Sequence, residues 1–570
     1  MNGKRKLRFW LWSIPVVGSI TAGLTLLVPS ETGSAYWLGY SQQRLIIFGI
    51  HLVLLLAAAI LVTKGYKHAG KVDVVSRIPS EGENRQLVHF LILGSAIFLS
   101  LAFFYELVFI PQGLAPIVGW FAYCAWVLFH IHRSQAARSA GEASLGEKQA
   151  GEREKPSKSM KTSIIVLTII GVIYFCLFIP INLQGAETPH DFLVSGGDEY
   201  VMYPVVVKML SGQESLRMDL YRFFVYGDYI YGFPFYGLSA LLLLPSRWVH
   251  GADFASQTQI NLFLLRQLIS VLPYILSAFI FTYLATRLRD WLPSAGLFVL
   301  ILTLPGAVQN NAQFWHPDSL NLLFIALTLY FLDRDALRFG RYFFLGAVAC
   351  GLSVGTRLFG LFFFLAVAGL LASGIFNKVI SIKLALVKGG LFCLLMAATI
   401  LVTNPYLFNP GEYRAIQRLV EKKQVDLTLG YAEPDPEGVY RTGVPAWLPH
   451  MKKWYGNGLT LAVLGISALA GLAIKRNWPF QWSLFAWFAV IGGYMVFFVL
   501  VKSFQYMMPW LVPLYSAYYF IPALLQDRFK VPGQMTGWKK GVLVIVSLFL
   551  AGVGILQLVQ NTTWLIGRIF

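Results

Sequence analysis

The chain has 570 residues, 56% of them hydrophobic and 13% charged, with a mean hydropathy of +0.61. Soluble domains average about 25% charged residues, so a soluble globule is excluded; repeated apolar runs near the roughly 20 residues needed to cross a hydrocarbon core predict an all-α polytopic membrane protein. The net charge of +18 implies no nucleic-acid partner, because the basic residues stand in short clusters between apolar segments, as the positive-inside rule requires, without stacking aromatics beside them.

The N-terminal stretch MNGKRKLRFWLW has a basic start and an apolar continuation without a small-residue cleavage site, and predicts an uncleaved first helix. Spans are expected near 9–28, 45–63, 88–108 and 113–131, forming an N-terminal four-helix membrane module over residues 1–131. The following stretch, 132–161, is rich in Ala, Gly, Ser, Glu and Lys and predicts a disordered cytoplasmic linker. From residue 162 to 570 a transmembrane core is expected, with spans near 163–183, 262–285, 294–308, 318–332, 342–355, 358–374, 384–402, 459–474, 481–501, 505–524 and 541–560. The total is about fifteen, with soft boundaries where the runs are short.

Orientation follows from charge. With Lys4, Arg5, Lys6 and Arg8 cytoplasmic, every even-numbered connection should be cytoplasmic too. Those connections include KGYKHAGK (64–71), HIHRSQAAR (130–138), RLRD (287–290), DRDALRFGR (333–341), Lys378–Lys383, KR (475–476) and Arg528–Lys540, and all are basic. The alternation requires that FYGLSALLLLP (235–245), short and flanked by prolines, lie in the interface or re-enter rather than cross.

The outer face then receives the long loop 184–261, the connection NNAQFWHPD (310–318), Arg357, the loop 403–458 and KSFQY (502–506). Asp198, Glu199, His316, Asp318, Arg357, Lys502 and Tyr506 thus share one side, an arrangement suited to an anionic substrate. Each has a plainer alternative. Asp198 and Glu199 follow two glycines and could cap a helix over 200–210. His316 and Asp318 flank Pro317, as at an ordinary helix start. Arg357 could snorkel to head groups, and Lys502 and Tyr506 could be interfacial anchors. Tyr229 and Tyr231, in the aromatic series YGDYIYGFPFYG, suit either a belt at the membrane surface or a platform for sugar rings or a lipid chain. A divalent metal is compatible with the number of acids, but no ligand spacing demands one.

The order of these motifs carries a resemblance. GDEYVMYP early in a long outer loop is followed by YGFPFYGLSALLLLP, a helix with LLRQLISVLPYIL, then FWHPDSLNLLFIALTLYFL, GLSVGTRLFGLFFFL and KSFQYMMPWLVPL. Residues 163–524 resemble the GT-C glycosyltransferases, closest to the branch of protein O-mannosyltransferases and lipid A aminoarabinose transferases. The pattern departs from that branch at the His–Pro before Asp318 and at FPF where a double proline is usual. The resemblance implies transfer of a sugar from a polyprenyl-phosphate donor to a lipid, glycan or protein acceptor, on the outer face of a bacterial plasma membrane. Asp198 would deprotonate or orient the acceptor with Glu199 in support, and Asp318 matches the acid of the second outer loop. Arg357 and Lys502, and behind them Arg222 and Arg266, are the expected partners of the leaving phosphate; His316, Tyr229, Tyr231 and Tyr506 are expected at the substrate. A transporter or flippase for a lipid-linked or anionic substrate is the alternative, and would place ionisable groups at mid-membrane depth on broken helices.

Overall fold

The computed structural model describes residues 158–570 except 189–190, 193–196, 213–215, 358–362, 430–440, 475–478, 530–536 and 570, together with scattered residues between 23 and 56. Most of the expected N-terminal module and nearly all of the linker lie outside the described residues.

The helices in chain order are α1 (Lys158–Leu177), α2 (Asp198–Leu210), α3 (Leu216–Phe224), α4 (Phe233–His250), α5 (Thr258–Leu265) and α6 (Leu272–Thr286). There follow α7 (Trp291–Leu302), α8 (Pro305–Asn311), α9 (Asp318–Asp335), α10 (Arg341–Thr356), α11 (Phe363–Phe376) and α12 (Ile382–Thr403). The last are α13 (Tyr413–Leu429), α14 (Val444–Tyr455), α15 (Gly458–Leu472), α16 (Pro479–Phe498), α17 (Phe504–Leu514), α18 (Phe520–Phe529) and α19 (Gly537–Ile569).

The chain forms two compact units. The first comprises Met1–Arg153 with Val206–Tyr226 and Leu244–Phe254. It holds a short antiparallel ladder, β1 (Ala35–Trp37) with β2 (Tyr40–Ser41), and a buried ion pair between Arg44 and Asp219 of α3. The second comprises Glu154–Val205, Gly227–Leu243 and Ala255–Phe570, and it contains every segment expected to span in the core. Each of those eleven segments falls on a helix or a broken pair of helices.

Six helices among the described residues are long and apolar enough to cross a membrane, or up to eight if each of two bent pairs is one span. The difference from the expected eleven lies in α9, whose ends are charged, and in α10 and α11, which are short. The patch 235–245 is part of the longer α4, which contains Pro245 and is not among the six. The outward faces of α12 and α19 are apolar: Leu386, Leu394, Ile545 and Leu548 are each about two-thirds exposed or more. Continuous exposed apolar surface of this kind fits contact with lipid and identifies an all-α integral membrane protein.

Inside, α17 is buried at every position from Tyr506 to Leu514. Pro513 has no N–H to give the Pro509 carbonyl, and the Trp487 indole of α16 donates to that oxygen at 2.8 Å instead. The 18 residues of α9 rise about 27 Å at roughly 1.5 Å per residue, close to a hydrocarbon core. Asp318 therefore starts at one end of the bundle, while Asp333 and Asp335 finish at the other. There Asp333 pairs with Arg287 through two 2.6 Å contacts, and Asp335 accepts the backbone N–H groups of Phe339, Gly340 and Phe343. Asp318 and the Asp333–Arg287 pair thus occupy opposite ends of one helix.

Candidate functional site

At the Asp318 end, four segments of the second unit converge. Pro317 is the residue before α9, so the HPD sequence is a helix start, and it also orients two functional groups. Asp318 is fully buried; one of its oxygens meets His316 Nδ1 and the other meets the Arg357 guanidinium. The Tyr231 hydroxyl lies 2.5 Å from His316 Nε2. A neutral imidazole that donates from Nδ1 to the carboxylate accepts the tyrosine proton at Nε2, which fixes one tautomer. Burial first, then the charges of Arg357 and Lys423, push His316 well below its ordinary pKa of 6.5, so the ring is uncharged at neutral pH.

Close backbone approach makes this meeting geometrically available. Gly232 donates its N–H to the Thr356 carbonyl at 3.1 Å, and a Cβ on Gly232 would lie 1.5 Å from the Gly355 oxygen. Only glycine permits that contact. The buried Asn404 side chain secures it by accepting the Phe233 N–H at 2.8 Å. Tyr231, at the head of α4, and Arg357, at the end of α10, are thereby held side by side. The Arg357 guanidinium lies over the Tyr231 ring at 5.9 Å and the Tyr506 ring at 5.1 Å, where both aromatic faces favour a cation. Arg357 is therefore engaged by protein groups rather than snorkelling to head groups. Lys502 is buried on the turn before α17 and donates to the Leu500 carbonyl at 2.9 Å.

The two neighbouring acids separate. Asp198 is 58% exposed, and its Oδ2 lies 3.9 Å from His316 Nε2. Glu199 has no exposed surface. Its oxygens accept from Arg266 at 2.9 and 2.5 Å and from the Trp315 backbone N–H, with no bond to the start of α2. Glu199 is thus neither a helix cap nor an accessible catalytic acid; it is the anchor that ties the start of α2 to the loop holding His316. Arg266, expected at the phosphate, is 2% exposed and spends its two Nη1 donors on the Asn182 and Gln184 carbonyls at 3.0 and 2.7 Å. It occupies a π-helical turn, Arg266–Val271, between α5 and α6. Arg222 belongs to α3 in the first unit, whereas the cluster described here is built from residues of the second.

Tyr229 stacks on Tyr406 at 4.3 Å and donates to Glu412 at 2.8 Å. Phe314 stacks on the His316 ring at 4.8 Å, and Trp315 packs against Phe235 at 4.9 Å. Glu412, Tyr406, Asn404 and Lys423 all come from the loop 403–458, which sequence reading left without internal structure. A signal was present: in YRAIQRLVEKKQVDLTL the apolar residues Tyr413, Ile416 and Val420 recur at helical spacing. Among the described residues, no three of His, Cys, Asp and Glu gather as a metal cluster.

The arrangement is an exposed carboxylate at the edge of a sealed network in which an ion pair, a neutral imidazole and a tyrosine are mutually satisfied. Such a carboxylate can take a proton from a substrate hydroxyl, while the network behind it holds position without competing for that proton. Comparison of the chain with protein-family models and with curated protein sequences gives no match.

Proposed function

We propose that the chain is an integral membrane glycosyltransferase of the GT-C kind, with about fifteen spans. It moves a sugar from a polyprenyl-phosphate donor to a lipid, glycan or protein acceptor at the outer face of a bacterial plasma membrane. The observation that carries this reading is the exposed Asp198 carboxylate 3.9 Å from a buried His316, within the order of motifs that resembles that superfamily.

In this reaction Asp198 accepts the proton of the acceptor hydroxyl as the oxygen attacks the anomeric carbon. The bond from that carbon to the lipid phosphate breaks, and the phosphate leaves with the electron pair. Arg357 and Lys502 offset the charge on the leaving group in a poorly hydrated site, where fixed cations act strongly. Tyr229, Tyr231 and Tyr506 offer ring faces to the sugar or the lipid. The test is the pool of lipid-linked sugars in cells lacking the protein. Accumulation of one polyprenyl-phosphate sugar is expected; an unchanged pool contradicts the reading.

A second reading, transport of an anionic substrate, draws on the two bent helix pairs, α7–α8 at 63° and α14–α15 at 100°. In that case the sugar–phosphate bond stays intact, and reconstituted vesicles would accumulate the unaltered lipid-linked sugar on the other leaflet.

A further inference from the structure

The loop 403–458 delivers a further cation to the site. Asn404 accepts the Phe233 N–H, Tyr406 stacks on Tyr229, and Glu412 accepts the Tyr229 hydroxyl. Three successive points of this loop are therefore tied to the segment that carries Tyr231, and α13 starts at the next residue, Tyr413.

Along α13 one face is turned to the protein. Ile416, Leu419, Lys423 and Asp426 are half-buried at helical spacing, in line with Glu412, while every other side chain from Tyr413 to Val425 is exposed. From Tyr413 to Lys423 the helix rises about 15 Å at roughly 1.5 Å per residue. Even so, Lys423 is one of the two cations whose charge acts on His316, the other being Arg357. A helix fixed beside Tyr229 at its start and felt at His316 from Lys423 runs across the site rather than away from it.

Charge decides what Lys423 can do there. Asp198 and Asp318 bring two carboxylates to His316 and Arg357 brings one guanidinium, while His316 itself is neutral. Without Lys423 this group is net negative and repels an anion; with it the group is balanced. Arg357 is committed to Asp318, and Lys502 donates to the Leu500 carbonyl while its charge acts on His450 of α14. Among the described residues Lys423 has no carboxylate within ion-pair distance, Asp426 on the same face included. Lysine is a compact point charge on a flexible stem, suited to a phosphate that arrives and departs. Val420, 45% exposed, lies one turn before it on the adjoining flank, so an anion held by Lys423 borders open apolar surface.

We propose that Lys423 is a substrate-binding residue that holds the phosphate of the polyprenyl-phosphate lipid near Asp198, with α13 as the wall of that subsite. The inference rests on the glycosyltransferase reading for the identity of the lipid. The experiment titrates the full-length chain in detergent with undecaprenyl phosphate and, separately, with inorganic phosphate, reading bound adducts by native mass spectrometry. Undecaprenyl phosphate is expected to bind the parent. K423Q should weaken that binding about tenfold or more, as loss of a charge-assisted contact does, and K423R should keep most of it. K422Q makes the same charge change at an exposed neighbour and should bind as the parent does. Parental binding in K423Q overturns the inference and leaves the glycosyltransferase reading standing, as does an equal loss in K422Q. A parent that binds no undecaprenyl phosphate overturns both. Inorganic phosphate that binds as tightly as the lipid, and is lost in K423Q, assigns Lys423 to a soluble anion and overturns the lipid.

Discussion

Asp198 and Glu199 leave the chain one residue apart and end in opposite surroundings. Glu199 closes inside the second unit against Arg266 and the Trp315 backbone, with no exposed surface, while Asp198 stands 58% exposed at the rim beside His316. The difference teaches how one end of a helical bundle combines a fixed framework with an exposed carboxylate. A buried bidentate pair costs desolvation and is weak evidence of net stability, but it fixes where the loop carrying Phe314, Trp315 and His316 sits relative to α2. The exposed acid then inherits a defined position without being consumed by a partner. Had both acids been buried, the site would lack an accessible base; had both been exposed, the 312–317 loop would lack its anchor.

The contrast can be broken most severely on the buried side. Glu199→Ala strands the Arg266 charge, and removing one partner of a buried pair costs about 3–5 kcal/mol. A large fall in melting temperature in detergent is expected, and the double variant Glu199→Met with Arg266→Met should recover a good part of it; a single variant as stable as the parent contradicts the anchor. Gly232→Ala comes next. Its methyl meets the Gly355 oxygen, and overpacking of this kind costs about 1–3 kcal/mol or more. Thermal unfolding should register that cost, and activity should fall with it as Tyr231 and Arg357 move apart. Parent-like behaviour in both measurements rules out the close approach as the organising contact.

A smaller effect separates the sealed network by pH. His316 has a folded pKa well below its ordinary 6.5 because of burial and the charges of Arg357 and Lys423. The unfolded chain therefore binds a proton there that the folded chain does not, so this contribution to stability is present above about pH 6.5 and is lost as pH falls below it. Melting temperatures from about pH 7.5 to about 5 should decline less steeply in His316→Gln than in the parent; identical slopes count against a buried neutral imidazole. The smallest effect concerns the aromatic rim. Tyr229→Phe removes the 2.8 Å bond to Glu412 and keeps the stacking on Tyr406, a loss of about 1 kcal/mol. A double-mutant cycle with Glu412→Ala, which removes the acceptor, should return a coupling of that order, and zero coupling dismisses the bond.

Much of this end was legible in the sequence because ionisable groups at the limits of apolar runs are costly and therefore informative. His316, Asp318 and Arg357 were placed on one face by the alternation of basic loops, and the structure brings their side chains into contact. The pairing of Glu199 with Arg266 was not legible. The two are 67 residues apart, and nothing in local periodicity states that an arginine on a π-helical turn points at a loop acid rather than at substrate. The approach of Gly232 to Gly355 was hidden for a similar reason: a glycine in YGFPF reads as a turn residue, and its lack of a side chain matters only once another backbone arrives. The helix α13 left a weak apolar rhythm, overshadowed by its charges, and with it Lys423 and Glu412 were missed.

The central claim is that Asp198 is reactive and Glu199 structural, and one variant tests it most directly. Asp198→Asn keeps the shape of an exposed side chain while removing its capacity to take a proton. Its melting temperature should match the parent, while transfer of sugar from a polyprenyl-phosphate donor should fall by about 100-fold or more, the usual worth of a positioned general base. A folded Asp198→Asn protein that transfers sugar at the parental rate would contradict the account.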